Sequence, residues 1–289
     1  MKNKITVIIL TYKTDRRILE NCLNSIDRNI KIIIIENSKN FELKEFFINK
    51  YNNIKIYCTG SNNGYGKGNN FGISKVTTPY ALILNPDTIC NKKFFLNLNK
   101  LININNNFHL LGCLYSKKKP NNQAGYFNNS KVKKIKQFTK VDWVKGFALI
   151  LNLKKFKNKK IFDENYFLFF EEIDLCKSIK NINGNVYISN QLYIRHLGFK
   201  SSTNQKKSEN NSLENLRNWH YLWSNFYYHK KHYGYFYSLQ KNLLKLLSSL
   251  FNIILFTILI QSSKRKKYFY RFFGLLNSMI GRPSSFRDE

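Results

Sequence analysis

Acids are scarce in this 289-residue chain, 17 against 48 Lys and Arg, so the places where they meet defined structure are informative. The first is Tyr80-Ala-Leu-Ile-Leu-Asn-Pro-Asp-Thr88. Residues 81–84 form an apolar run of strand length, and Pro86, which lacks an N–H and restricts the residue before it, ends the ladder there. Asp87 then stands at the carboxyl end of a strand, where ligands collect in open α/β sheets. A carboxylate fixed there can hold a divalent cation, and such a cation commonly holds a diphosphate. The same residues also suit a turn in which Asp87 caps the next helix. The second place is Phe162-Asp-Glu-Asn-Tyr-Phe-Leu-Phe-Phe-Glu-Glu-Ile-Asp-Leu-Cys176, a run of aromatics leading into Glu171, Glu172 and Asp174, with Leu175 and Ile179 at helical spacing over 171–182. Acids in a first turn favour the positive end of the helix dipole, which accounts for the acids but not for the aromatic wall before them.

The elements that position these acids read as an α/β domain. Residues 5–10 are a β-branched run too short for a free helix, and Asp15 then precedes Ile18, Leu19, Cys22, Leu23 and Ile26 at helical spacing. Residues 31–35 form a second buried strand ending at Glu36-Asn37-Ser38, and 54–58 a third ending near Ser61. Strands buried on both faces and separated by helical patterns mean a parallel sheet. Residues 62–72, Asn-Asn-Gly-Tyr-Gly-Lys-Gly-Asn-Asn-Phe-Gly, open a helix with glycines at which the backbone could approach a ligand closely. Their spacing is neither that of a Walker loop nor the dinucleotide fingerprint. Residues 184–188 and 192–196 read as two further strands.

Composition sets the outer limits. A chain of this length, 43% apolar and 16% aromatic, buries one good core plus a smaller appendage and is not disordered. Net charge is +31, mostly lysine in an asparagine-rich chain, and leaves two readings open: coding bias with no partner behind it, or a polyanionic partner such as membrane lipid, nucleic acid or a phosphate-bearing substrate. The five cysteines are scattered, never Cys-x-x-Cys, which points to neither zinc nor a disulfide framework and indicates a reducing compartment. Residues 2–10 do not resemble a signal peptide.

The order of these motifs resembles the inverting glycosyltransferases of family 2, with the GT-A fold, and most closely their rhamnosyltransferase-like branch. The resemblance covers roughly residues 1–205 and implies a mixed, mainly parallel sheet flanked by helices, with 206–289 a C-terminal helical region. It further implies that Thr11 and Tyr12 lie beside the nucleotide of the donor, and that Glu36 and Asn37 take the place of the acid that contacts base or ribose. Asn62, Gly64, Gly68 and Asn70 belong to the family's Asn-rich glycine loop, while Asn85-Pro86-Asp87 is its variant of the Asp-x-Asp metal motif with Asn first. Residues 142–151, Asp-Trp-Val-Lys-Gly-Phe-Ala-Leu-Ile-Leu, match the strand that lies against the donor sugar, making Trp143 and Gly146 candidates, with a core tryptophan and a bulge glycine as the plainer alternatives. Glu172 falls where the family has its catalytic Asp, with Glu171 as the alternative one residue earlier. His196 opens a segment resembling the family's His-x-Gly-Gly-x-Ser, Phe199 replacing the second glycine, and would complete a metal or diphosphate site with Asp87. His109, His220, His229 and His232 lack such context and are expected on the surface or in packing.

The chemistry implied is transfer of a sugar from a nucleoside diphosphate, UDP or dTDP, to a lipid-linked or surface glycan with inversion. Mg²⁺ or Mn²⁺ would neutralise the leaving group and a carboxylate would take the acceptor proton. A nucleotidyltransferase, a basic RNA-binding module and a subunit without catalytic activity are the alternatives. The paired acids at 171–172 argue against a nucleic-acid path there.

Two basic regions remain. Residues 117–160 carry 14 Lys and one acid, Asp142, and read as a solvated loop up to the Trp143 strand. Beyond 205, Leu213, Leu216, Trp219, His220, Trp223 and Phe226 share a helical stripe, followed by an 18-residue apolar stretch at 243–260 that barely reaches across a ~30 Å hydrocarbon core. Lys241 flanks one end and Lys264-Arg-Lys-Lys267 the other, so no one-sided charge bias favours a span. An in-plane helix bound peripherally to the cytoplasmic face of a membrane is favoured over a packing helix and over a true span.

Overall fold

The structure, a computed structural model, describes the chain apart from residues 2, 116–122, 133, 198–206 and 288–289, and the side chains of 207–211. The described residues fall into two compact units, one of residues 1–163 with 172–204, the other of 164–171 with 205–289.

In the first unit the chain runs β1 (Ile5–Thr11), α1 (Arg16–Asn24), β2 (Lys31–Glu36), α2 (Lys44–Lys50), β3 (Ile54–Cys58), α3 (Gly64–Ser74), β4 (Tyr80–Leu84), β5 (Thr88–Cys90), α4 (Phe94–Ile104) and β6 (Leu110–Leu114). It continues through β7 (Ala124–Gly125), β8 (Thr139–Val141), β9 (Trp143–Val144), β10 (Ala148–Asn152), α5 (Glu171–Asn181) and β11 (Val186–His196). The main sheet has the order β3-β2-β1-β4-β10-β6-β11-β5, with β8 alongside β11. β3, β2, β1 and β4 run parallel, and β10 enters antiparallel to both β4 and β6. This is the mixed, mainly parallel sheet flanked by helices that the motif order implied.

Side-chain alternation explains why the sheet is buried on both faces. Ile5, Val7 and Ile9 join one core with Leu19, Phe47 and Leu98, whereas Ile8 joins a second with Ile73, Val144 and Ile179. Asp15 starts α1 as expected, its carboxylate accepting from Arg17 N at 2.8 Å and Ile18 N at 3.2 Å. Two glycines of α3 serve its packing on the sheet. A Cβ on Gly68 would stand 2.6 Å from Leu10 Cδ1, and one on Gly72 2.6 Å from Ile8 Cγ2, so these residues let the helix rest on β1.

Three expectations are corrected. No helix begins at Asp87: Thr88–Cys90 is a strand paired with Ile194–His196, and the next helix, α4, starts only at Phe94, which removes the helix-cap alternative. The two strands expected at 184–188 and 192–196 are one bent strand, β11, whose register shifts between Ile188 and Tyr193 as it leaves β6 and takes up β5. The segment 117–160 is not a bare loop, since β7 pairs β9, β8 pairs β11, and Gln123, Ala124 and Val132 are buried.

The second unit consists of α6 (Lys207–Tyr233), α7 (Tyr235–Ile258) and α8 (Ser262–Met279), packed around Leu222, Phe226 and Leu275. The expected α6 stripe is largely inside, with Leu216, Trp219, His220, Trp223 and Phe226 buried. A Cβ on Gly274 would collide with the Trp219 carbonyl, which is how α8 comes close to α6; Ser278 Oγ then donates to Trp223 O at 2.9 Å. The aromatic segment 164–171 belongs to this unit: Tyr166 is fully buried against Tyr227, and Ser224 Oγ donates to Leu168 O at 2.9 Å. His220 is a packing residue, its ring nitrogens 2.8 Å from Ser284 Oγ and 2.8 Å from Phe286 O, and burial pushes it down to about 3. Between α7 and α8, Ile260 has φ 54° in the position where a helix C-terminus usually has Gly, with Gln261 N bonded back to Phe256 O at 3.0 Å. A β-branched side chain there costs about 1–2 kcal/mol.

Candidate active site

The carboxyl ends of β1, β2 and β4 form one rim. Register places Thr11 beside Glu36, and Asn85, just past β4, donates its N–H to Phe147 O at 2.9 Å. Asp87 follows, nearly inaccessible at 2% exposure, because Pro86 and the β5 pairing fold the chain back under it. Its Oδ1 is buried with no hydrogen bond, and His196 Nε2 stands 3.4 Å away, outside bonding geometry. His196 is delivered by the last residue of β11, paired with Thr88, and its ring stacks on Phe147 with centroids 5.2 Å apart. Asn85 is partly buried, and its side chain makes no hydrogen bond among the described residues.

A buried, unbonded carboxylate oxygen costs about 1–3 kcal/mol or more, so it needs a partner. Asp87 and His196 are both suited to a divalent cation, and the orphaned Oδ1 is the observation that fits one. Among the described residues no set of three or more His, Cys, Asp and Glu gathers to hold a metal, so these two would leave the remaining positions to water or ligand oxygens.

Glu172 is brought to the same rim from far along the chain. A Cβ on Gly146 would lie 3.3 Å from Glu172 Cδ, and Gly146 immediately precedes Phe147, the partner of Asn85. Burial raises the Glu172 carboxyl above the ordinary carboxylate range, against the opposing pull of its own N–H, the Lys145 charge and the N–H groups of Gly146 and Ile173. A carboxylate desolvated but held by first-turn amides is a proton acceptor kept in place. The turn preceding it in the chain is strained, with Phe169 and Phe170 both at φ 71°. Glu171 is buried in the second unit.

The other candidates are engaged in holding the rim together. Glu36 receives Thr11 Oγ1 at 2.6 Å and Lys13 N at 3.2 Å, one on each carboxylate oxygen. Asn37 donates to Asn62 Oδ1 at 3.0 Å and Gly64 O at 3.1 Å and accepts from Thr59 Oγ1 at 3.0 Å and Asn63 N at 3.1 Å. Gly64 has φ 79° and so turns the chain into α3. Asn70 binds Ile161 N, Phe162 N and Phe162 O at 3.0, 2.9 and 2.8 Å, tying α3 to the start of the aromatic segment. Trp143 is partly buried in the second core, its ring where a Cβ on Gly125 would be. Tyr12 is partly buried, with Lys13 Nζ 5.6 Å from its ring centre. The loop after His196, including Phe199, lies outside the described residues.

Sequence reasoning missed Tyr65, whose Oη donates to Gly146 O at 2.8 Å, and Phe147, the ring under His196. Both sit inside motifs that were recognised, Asn-Gly-Tyr-Gly and Trp-Val-Lys-Gly-Phe, and their aromatic type was the available signal.

The family model for glycosyl transferase family 2 matches residues 6–175. The low-salt glycan biosynthesis hexosyltransferase Agl10 of Haloferax volcanii is 24% identical over 202 residues, 64% of this chain and 64% of that protein. The rhamnosyltransferase WbbL of Escherichia coli K12 is 28% identical over 187 residues, 56% of this chain and 70% of that one. Crystal structures with this fold include GalNAc-T7 with UDP, GalNAc and Mn²⁺ (TM-score 0.55, 12% identity, 67% of this chain and 43% of that chain). Residues 1–349 of S. aureus TarS in complex with UDP-GlcNAc match more fully (TM-score 0.52, 12% identity, 96% and 92%). The family match takes in more than half of the chain, and it contains both the strand ending that carries Asp87 and the acidic helix start that carries Glu172; this protein belongs to glycosyl transferase family 2.

Proposed function

We propose that the chain transfers a hexose, rhamnose among the candidates, from UDP or dTDP to a hydroxyl of a lipid-linked or surface glycan, with inversion. The observation that carries this is the pairing on one rim of an orphaned buried carboxylate, Asp87, with a second carboxylate, Glu172, raised by burial. Relatives named hexosyltransferase and rhamnosyltransferase, and neighbours solved with UDP-GlcNAc or with UDP and Mn²⁺, support it. Asp87 and His196 would hold Mg²⁺ or Mn²⁺, which would supply positive charge to the diphosphate leaving group. Glu172 accepts the proton of the acceptor hydroxyl; the new O–C1 bond forms on the face opposite the diphosphate, and the electron pair of the broken C1–O bond leaves with it. Thr11, Glu36, Asn37 and Asn70 set the rim's shape. Lipid-linked acceptors place the enzyme peripherally at the cytoplasmic face of a membrane.

Incubating the purified protein with a panel of nucleotide sugars and Mn²⁺ or Mg²⁺ tests this. Release of free nucleoside diphosphate from one donor, lost in EDTA, is expected. Release of pyrophosphate from a nucleoside triphosphate and a sugar phosphate would instead identify a nucleotidyltransferase.

A further inference from the structure

Helix α7 is built inside out. Its buried residues are Ser238, Asn242 and Ser249, with Ser238 Oγ donating to Phe226 O at 2.8 Å and Lys245 Nζ turned back onto Asn225 Oδ1 at 2.9 Å. On the opposite side Phe236, Leu244, Leu247, Phe251, Ile254 and Ile258 are 83, 78, 52, 64, 55 and 73% exposed. A helix at a water-facing surface carries the reverse arrangement. At 3.6 residues per turn these six fall within one stripe, centred roughly opposite the three buried polar residues. No residue from 250 to 273 is buried, and Ile260, at 90% exposure, is held in left-handed backbone just past the end of α7. Among the described residues α7 is the one helix long and apolar enough to cross a membrane, and only 11% of its apolar window is buried.

Charge decides what covers this face. Between Tyr235 and Arg287 the sequence has nine Lys and Arg and no Asp or Glu, and Lys264, Arg265, Lys266 and Lys267 stand just past the apolar stripe, followed by Tyr268, Phe269 and Tyr270. A second copy docked on the face would set cation against cation, whereas an anionic leaflet complements both features: apolar side chains enter the acyl boundary, the basic cluster meets headgroups and the aromatics suit the interface. A span is disfavoured because α7 begins on α6 at Phe226 and α8 returns to it at Trp223 and Asn218, with the basic cluster between. We infer that α7 lies in the plane of an anionic lipid surface, Phe236 to Ile258 facing the acyl chains and Lys264 to Lys267 on the headgroups. This gives a specific face to the membrane part of the proposed function, and it stands or falls without the transfer reaction.

The test is flotation of the full-length protein with vesicles of phosphatidylcholine alone or with phosphatidylglycerol, without donor or metal. Binding should rise at least about tenfold with the anionic lipid and fall in ~1 M salt, where the Debye length is about 3 Å, yet leave a salt-resistant fraction. Leu247→Asp with Phe251→Asp should remove that fraction, while charge reversal at Lys264 to Lys267 should remove the salt-sensitive part. Ile260→Gly should raise the melting temperature in solution, by relieving the left-handed isoleucine, while weakening flotation. A full-length protein that does not float with anionic vesicles at low salt overturns the inference. So does a protein that sediments as a dimer and becomes monomeric in the double Asp variant, since a second copy would then occupy the face.

Discussion

At the rim of strand ends, two groups of candidate residues look alike in sequence and differ in hydrogen bonding. On the β1–β2–α3 side, Glu36, Asn37 and Asn70 are buried and fully engaged with neighbours. On the β4–β10–β11 side, Asp87 is as deeply buried and keeps an oxygen without a hydrogen bond, and Glu172 is raised by burial. A satisfied buried polar group contributes to specifying the fold; an unsatisfied one costs stability and is kept because something else completes it. The proposed function assigns scaffold to the first group of residues and chemistry to the second.

The sharpest way to break this division is Glu172→Gln. It should still bind nucleotide but lose about 10²-fold or more in transfer rate, measured by product formation at saturating donor. Because the variant removes a desolvated charge, its melting temperature should hold or rise at neutral pH. If Glu171→Gln loses transfer instead, the two glutamates exchange roles. In wild type, transfer should decline on acidification at a higher pH than an ordinary carboxylate would dictate, since Glu172 must be ionised to accept a proton and its folded value is raised.

Next in size, Asp87→Ala should abolish Mn²⁺-dependent binding of UDP or dTDP in calorimetry while leaving the melting temperature unchanged or higher. Unchanged affinity would remove Asp87 from the site. Asn70→Ala should do the opposite, destabilising by roughly 1–3 kcal/mol in urea because two buried N–H groups and a carbonyl lose their partner, with nucleotide affinity of the folded protein preserved. An Asn70→Ala protein of full stability that binds no nucleotide would move that residue into the second group.

Near neutral pH the smallest effect is that of His220 in the helical unit, another satisfied group. Its value falls from 6.5 to about 3 on folding, so between these the unfolded chain binds the extra proton and stability declines as pH drops from about 6.5. Melting curves should show this decline, and His220→Gln should flatten it; an unaltered pH profile would mean that the ring is not buried neutral.

What the sequence by itself determined was local. Isoleucine runs of strand length made β1 and β2, Pro86 stopped β4 before Asp87, Asp15 started α1, and acids after an aromatic run marked the start of α5. Each depends on neighbours within a few residues, where propensity and steric restriction act directly. Which polar groups were already spoken for depended on distant partners. Asn70 is satisfied by Phe162, 92 residues on, and Glu36 by Thr11, 25 residues back. The direction α7 faces was equally out of reach, because a period of 3.6 shows that a helix has two faces without showing which one the rest of the protein covers. Only the tertiary structure, by placing Ser238 and Asn242 inside and Leu244 and Phe251 outside, decided that.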